Sequence, residues 1–234
     1  MSLRLLISSG VIALVLLAGN AMARSKKIPI RIGAIHNVTG PLGSIGQPSL
    51  NGALLAAKQL NKRGGVLGRP VEQVARDGQS DLAVVAEITR ELVHMPHMAA
   101  ITGLNDTEMA LAAAPVAEKG RMVFLTSGAT SPKVPLLFPG FYFMACFGDN
   151  TQAAAGAGYA FGALGLKTAW VLLDNTTDFT VLLAGYFEER YTALGGQILG
   201  EDTYAGGSVD FSEQIARILA LETPPDMLYV SAGP

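Results

Sequence analysis

The sequence predicts an α/β protein built on parallel sheets, and three observations predict it. Short β-branched runs alternate with longer stretches of helical periodicity from Ile28 to Val230, the pattern of strands joined by crossover helices. Small polar loops, Asn105-Asp106-Thr107 and Ser127 to Ser131, follow two of the strand candidates directly, and open parallel sheets bind ligands at that edge. Half of the 234 residues are apolar and only 15% are charged, which supplies a core and excludes a disordered, collagen-like or coiled-coil chain.

The elements follow in order. Ile28 to Ile35 reads as the first strand. Leu50, Ala53, Leu54, Ala57 and Leu60 then line one face of a helix that stops at Lys62-Arg63-Gly64-Gly65, basic residues and glycines being favoured at a helix C-terminus. Val71 to Ala75 is the second strand and leads to Asp77. A helix over Leu82 to His94, a buried strand over Ala99 to Thr102, a helix over Glu108 to Lys119 and a strand over Met122 to Leu125 come next. The alternation restarts after Phe141 to Cys146, with Asp149 or Asn150 as the expected N-cap of a helix reaching Tyr159. Strands at Thr168 to Leu173 and Gln197 to Thr203 flank a helix from about Thr180 to Leu194. A last helix, Phe211 to Leu221, precedes the strand Met227 to Val230. Two α/β halves are therefore expected to meet near residues 145–150. A parallel strand needs a loop and a covering helix after it, and only Ser231 to Pro234 follow, so the second half is expected to be incomplete.

The first residues call for a separate reading. Arg4, the apolar run Leu5 to Leu17 and the small residues of Ala21-Met22-Ala23 have the layout of a cleavable secretory signal. The run is shorter than the ~20 apolar residues of a spanning helix. The expected division is a signal peptide over 1–23, a ligand-binding lobe over 24–145 and a partial second lobe over 146–234, in an exported protein. Lys and Arg number 17 against 19 Asp and Glu, with no basic stretch longer than Lys26-Lys27, which argues against a nucleic-acid partner. Cys146 is the single cysteine, so neither an intramolecular disulfide nor a cysteine-based zinc cluster can form.

Catalytic patterns are few. His94 and His97 are separated by two residues, but Pro96 interrupts the helix that would align them and no carboxylate cluster completes a metal site. His36 follows the first strand, a place from which it would line a cleft, although a plain surface histidine is the expected reading. Gly156, Gly158 and Gly162 lie within an Ala-rich helical stretch and not between a strand and a helix, so they read as close-packing positions ahead of a dinucleotide turn. A phosphate loop, a nucleophile elbow and a Cys-His pair are all missing from the sequence. An exported hydrolase or reductase is the enzymatic alternative, and no nucleophile with its base supports it. No metal and no cofactor are expected.

The two polar loops carry more. Asn105-Asp106-Thr107 opens a helix, whose N-terminal N–H groups and dipole favour an anion. Ser127-Gly128-Ala129-Thr130-Ser131 offers hydroxyls and backbone groups on the same edge. Singly, Thr107 is as readily an ordinary N-cap and Thr130 a turn hydroxyl. Side by side, the loops point to a site for a small zwitterion or carboxylate.

The stretch GAIHNVTGPLGSIGQPSLNGALLAAKQLNKRGGVLGRPVE, Gly33 to Glu72, together with Asp77, the segment Ile101 to Thr107, TSGATSP from Thr126, FGDNTQAAAGAGYA from Phe147, Gly195-Gly196 and Asp210-Phe211-Ser212, resembles the periplasmic leucine and branched-chain amino acid-binding proteins of ABC importers. The resemblance implies the type I periplasmic binding fold, two doubly wound parallel-sheet lobes, here with the second lobe incomplete. It assigns Thr107 to the ligand α-carboxylate, Thr130 to a hydroxyl contact of the following loop and Gly128 to a carbonyl facing the α-ammonium. Asn105 belongs to the same loop. Phe179 stands where a second-lobe Tyr is frequent, so an apolar contact is kept and a hydroxyl is lost. Ile45 stands where an aromatic residue frequently packs on the ligand, and Gly233 roughly at another second-lobe contact. The acidic partner of the α-ammonium would lie beyond Pro234.

The resemblance further implies a non-catalytic, periplasmic protein that binds an amino acid or related amide or carboxylate and delivers it to an ABC permease in the inner membrane. The alternatives are a ligand-sensing domain of a signalling system, marked by a transmembrane or regulatory segment, and a truncated receptor that no longer binds.

Overall fold

The structure, a computed structural model, describes residues 27–233; the expected signal segment, 1–23, lies outside them. Strands β1 (Ile30–His36), β2 (Val71–Asp77), β3 (Met98–Gly103), β4 (Phe124–Thr126) and β5 (Tyr142–Met144) form one parallel sheet in the order β2-β1-β3-β4-β5. Helices α1 (Gly43–Lys62), α2 (Leu82–His94), α3 (Thr107–Lys119) and the short α4 (Val134–Leu137) are its crossovers. The chain then passes through residues 145–148 into α5 (Asp149–Gly158), β6 (Thr168–Asp174), α6 (Asp178–Ala193), β7 (Gln197–Tyr204), α7 (Ser212–Leu219) and β8 (Met227–Ser231). The last three strands make a second parallel sheet, ordered β7-β6-β8. Strand order reverses between β1 and β3, so the loops leaving their carboxyl ends diverge and open a crevice.

Burial explains where each helix sits. In the first lobe Ile35 and Ile101 from the sheet meet Val85 and Leu92 of α2 and the alanines of α3, and Phe124 packs edge-on against Tyr142 at 5.3 Å. In the second lobe Phe187 of α6 is stacked between Tyr229 of β8, at 3.7 Å, and Tyr191, at 5.2 Å. Each fully buried aromatic or aliphatic side chain contributes roughly 1.5–3 kcal/mol. Caps set the helix starts: Asp81 accepts from Ala83 N and Val84 N, and Thr177 accepts from Thr180 N.

Five local expectations are corrected. The first long helix begins at Gly43, well ahead of Leu50, because its opening turns lie against the β1 loop and not against the apolar core. There Gly46 touches that loop so closely that a Cβ would stand 1.9 Å from the Asn37 carbonyl oxygen. The fourth strand starts at Phe124 because the Met122 N–H closes instead on the Ala117 carbonyl at the end of α3. The N-cap of α5 is Gly148, with no side-chain bond, and Asp149 is the first helical residue. His36 ends β1 and is 2% exposed, not at the surface. Gly156, Gly158 and Gly162 have no atom within 4 Å of where a Cβ would stand, so close packing does not require them.

Candidate functional site

The site begins with backbone geometry at the carboxyl edge of the first sheet. Gly103 ends β3 at φ +127, where a Cβ would lie 1.9 Å from the Ile35 carbonyl oxygen, and a side chain is tolerated neither by that conformation nor by that contact. The tight turn carries Leu104, whose N–H donates to the same Ile35 oxygen, and delivers Asn105, Asp106 and Thr107 to the crevice. Asp106, not Thr107, caps α3: its Oδ1 accepts from Glu108 N and Met109 N. The two N–H groups that the sequence offered to an anion are thus occupied. Thr107 is freed by this arrangement, for its side chain is buried and its Oγ1 has no hydrogen-bond partner.

Asn105 ties its own loop to the start of α1 and to the loop after β4. Its Nδ2 donates to Ser49 Oγ and to the Ile45 carbonyl, and its Oδ1 accepts from Ser127 Oγ at 2.7 Å. Its amide is therefore spent on holding the walls in place. Thr126 is the counterpart in the next loop, accepting from Gly128 N and Ala129 N while donating to the Leu104 carbonyl. Gly128 passes so near Asn105 that a Cβ would meet its Cα, Cβ and Cγ at 3.3 Å. On the β1 side Asp77 gathers Val38 N, Thr39 N, Gln79 N and Thr39 Oγ1. Burial pushes its carboxyl up, and those bonds outweigh it and hold the group below its usual range.

Ile45, Asn105, Thr107, Gly128, Thr130 and Phe179, six of the seven positions singled out in the sequence, line one cavity of about 220 Å³ between the lobes. Asp106 and Gln152 complete its wall. A second cavity of about 240 Å³ shares Asp106 and Phe179 with the first and continues between Asp174, Thr177 and Tyr204. Gly233 lines this second compartment. Gln152 and Asp106 escaped the sequence reading. Gln152 lies in a stretch quoted only for its resemblance, and Asp106 was overlooked beside Thr107, although an Asp just before a helix is a cap signal.

Below the floor lies Asp149, fully buried with both carboxylate oxygens unpartnered. Its N–H donates to the Thr130 carbonyl at 2.9 Å. Burial pushes its carboxyl above the usual range, and the nearby Thr130 hydroxyl, although it makes no well-formed hydrogen bond, offsets part of that rise. Burial likewise lowers His36, whose ring nitrogens are unpartnered beside the loop to α1. Among the described residues no three His, Cys, Asp or Glu side chains stand close enough to hold a metal ion, and no helix is long and apolar enough to cross a membrane.

The arrangement of two parallel-sheet lobes has clear parallels. The chain is 23% identical over 215 residues to the "Amino acid binding protein" of Pseudomonas aeruginosa, an alignment spanning 92% of this chain and 57% of that one. It superposes on the branched-chain amino acid transporter substrate-binding protein LivJ of Streptococcus pneumoniae, solved with isoleucine, with a TM-score of 0.76 and 26% identity over 87% of this chain and 57% of that one. The leucine-binding protein LivK of Thermotoga maritima matches with a TM-score of 0.73 and 30% identity, over 86% of this chain and 55% of that one. The chain thus spans a little over half the length of the relatives it matches. The fold is that of the type I periplasmic binding proteins, and the periplasmic binding protein profile matches residues 29–233. The chain belongs to the periplasmic binding protein family.

Proposed function

We propose that this chain contributes the ligand cleft of a periplasmic solute-binding protein, one that receives an amino acid or a related carboxylate and hands it to an ABC permease. The reading rests chiefly on one observation, the buried and unpartnered Thr107 hydroxyl in the wall of the inter-lobe cavity. A buried donor without a partner is costly, and a ligand carboxylate in the cavity would satisfy it. Thr130, Gly128, Ile45 and Phe179 line the same cavity, which supports a hydroxyl contact from Thr130, a carbonyl contact from Gly128 to the α-ammonium and apolar contact of Ile45 and Phe179 with a side chain. LivJ, solved with isoleucine, supports an amino acid as the first ligand to try.

Binding then works by differential contact. A ligand touching Thr107 on one lobe and Phe179 on the other favours the conformation that brings them together, and a closed form is what a permease can tell from an open one. No bond is made or broken in this scheme. Residues 1–23 would direct export and be removed, with 24–145 and 146–234 as the two lobes.

The test is calorimetry with L-leucine and L-isoleucine on the intact chain and on Thr107→Ala. Losing a hydrogen bond to a charged group costs about 1–3 kcal/mol, so affinity should fall about tenfold or more. Equal affinity in the two proteins removes Thr107 from the site.

A further inference from the structure

The second compartment of the cleft has a character of its own. Asp106 reaches it from the first lobe and Asp174 from the second, and neither compartment is lined by a Lys, Arg or His. Asp106 uses Oδ1 for both cap bonds; among the described residues no donor approaches its Oδ2. Asp174 is buried at the end of β6, its Oδ1 accepting from Thr176 N and Thr176 Oγ1, bonds that favour the ionised form. Its carboxyl is accordingly held below its usual range. Glu108 and Asp178 add like charge across the same mouth: burial first, then Asp106 and Asp178, raise the Glu108 carboxyl. The two lobes therefore face one another with negative charge, which opposes closure unless something positive lies between them.

We infer that the compartment between Asp106 and Asp174 receives a cationic group at the far end of the ligand, so that the cleft takes a carboxylate at Thr107 and a positive charge beyond Phe179. This inference rests on the carboxylate reading of the Thr107 compartment. The unpartnered Thr107 hydroxyl fixes one end of the molecule. The α-ammonium of an amino acid is bonded to the same carbon as its carboxylate and stays in that first compartment. Only a side chain passes Phe179, which both compartments share, and reaches the two aspartates. Tyr204 lines the same wall. The ligand class is a dibasic amino acid, with lysine as the simplest case. Its charged end would touch one carboxylate from each lobe and convert a repulsion into a bridge.

L-lysine and L-norleucine make a matched pair of probes, since they differ only by the terminal ammonium. Calorimetry on the intact chain should give at least tenfold tighter binding of L-lysine than of L-norleucine. Asp174→Asn and Asp106→Asn should each reduce that ratio by about tenfold. Asn keeps the cap of α3 and can still accept from Thr176, so both variants should fold, which circular dichroism checks. Norleucine binding as tightly as lysine overturns the cationic assignment and leaves the carboxylate site standing. A lysine preference unchanged in both variants overturns the role of the aspartates. Binding of neither probe overturns the carboxylate reading and this inference with it.

Discussion

Asp149 concentrates the chemistry of a single residue in this fold. Its side chain is fully buried with both oxygens unpartnered, an arrangement that costs about 1–3 kcal/mol for a polar group and more for a charged one. Its folded-state pKa is raised by burial, so the folded protein holds a proton there at pH values where the unfolded chain has released it. Stability from this group is full when both states are protonated and falls as the pH rises through the folded-state pKa. Asp149→Asn removes the charge and keeps the shape. The variant should melt a few degrees higher than the parent at pH 8, at ~2–4 °C per kcal/mol, and the gap should close at pH 4. A gap that widens toward low pH would show that the carboxylate is stabilised by its surroundings. The sequence marked this residue as a cap, since an acid before an Ala-rich helix reads that way; only the tertiary packing shows that Gly148 takes that place.

Elements differ in how much of them the sequence carries. Helix α2 runs from Leu82 to His94 as its apolar period predicts, with three buried positions, Val85, Thr89 and Leu92, on one face. Strand β6 is equally legible, because a continuous apolar run such as Ala169 to Leu173 is what a sheet covered on both faces demands. The start of α1 was not legible, since it is decided by contacts with segments distant in the chain, whereas the cap of α3 is local, Asp106 accepting from Glu108 N and Met109 N. Asn105, Thr107, Gly128 and Thr130 could be gathered because strand ends announce themselves, and Ile45 and Phe179 only through the resemblance, whereas the second compartment draws on Tyr204 and Asp174, which meet only through the fold. Helix α7 shows the limit of local pattern from the other side. Ile215 and Leu219 repeat at helical spacing, yet both are exposed and no residue of the helix is buried. Hydrogen exchange should therefore be faster along α7 than along α6, where Leu183, Ala184, Phe187 and Tyr191 are buried. Equal protection of the two helices would mean that α7 is held by contacts this arrangement lacks.

At the scale of the whole molecule, two parallel sheets present their carboxyl edges to a shared cleft, so under the proposed function binding and shape are one process. The small polar groups of the first compartment lie mostly on the first lobe, at Thr107, Gly128 and Thr130, while Phe179, Asp174 and Tyr204 come from the second. A ligand that touches only the first lobe would stabilise the protein without drawing the lobes together. One that spans the cleft must do both, because a conformational equilibrium moves only by the difference in affinity for its two states. At a concentration about 100 times the dissociation constant, a ligand specific for the folded state adds ~2.7 kcal/mol, a rise of roughly 5–10 °C in melting temperature for a chain of this size. L-lysine is expected to produce that rise together with a smaller radius of gyration in solution scattering. Phe179→Ala removes the aromatic wall common to both compartments and should reduce the compaction more than it reduces the affinity. A thermal shift with no change in scattering would place the ligand on the first lobe alone, and closure would then have no part in its recognition.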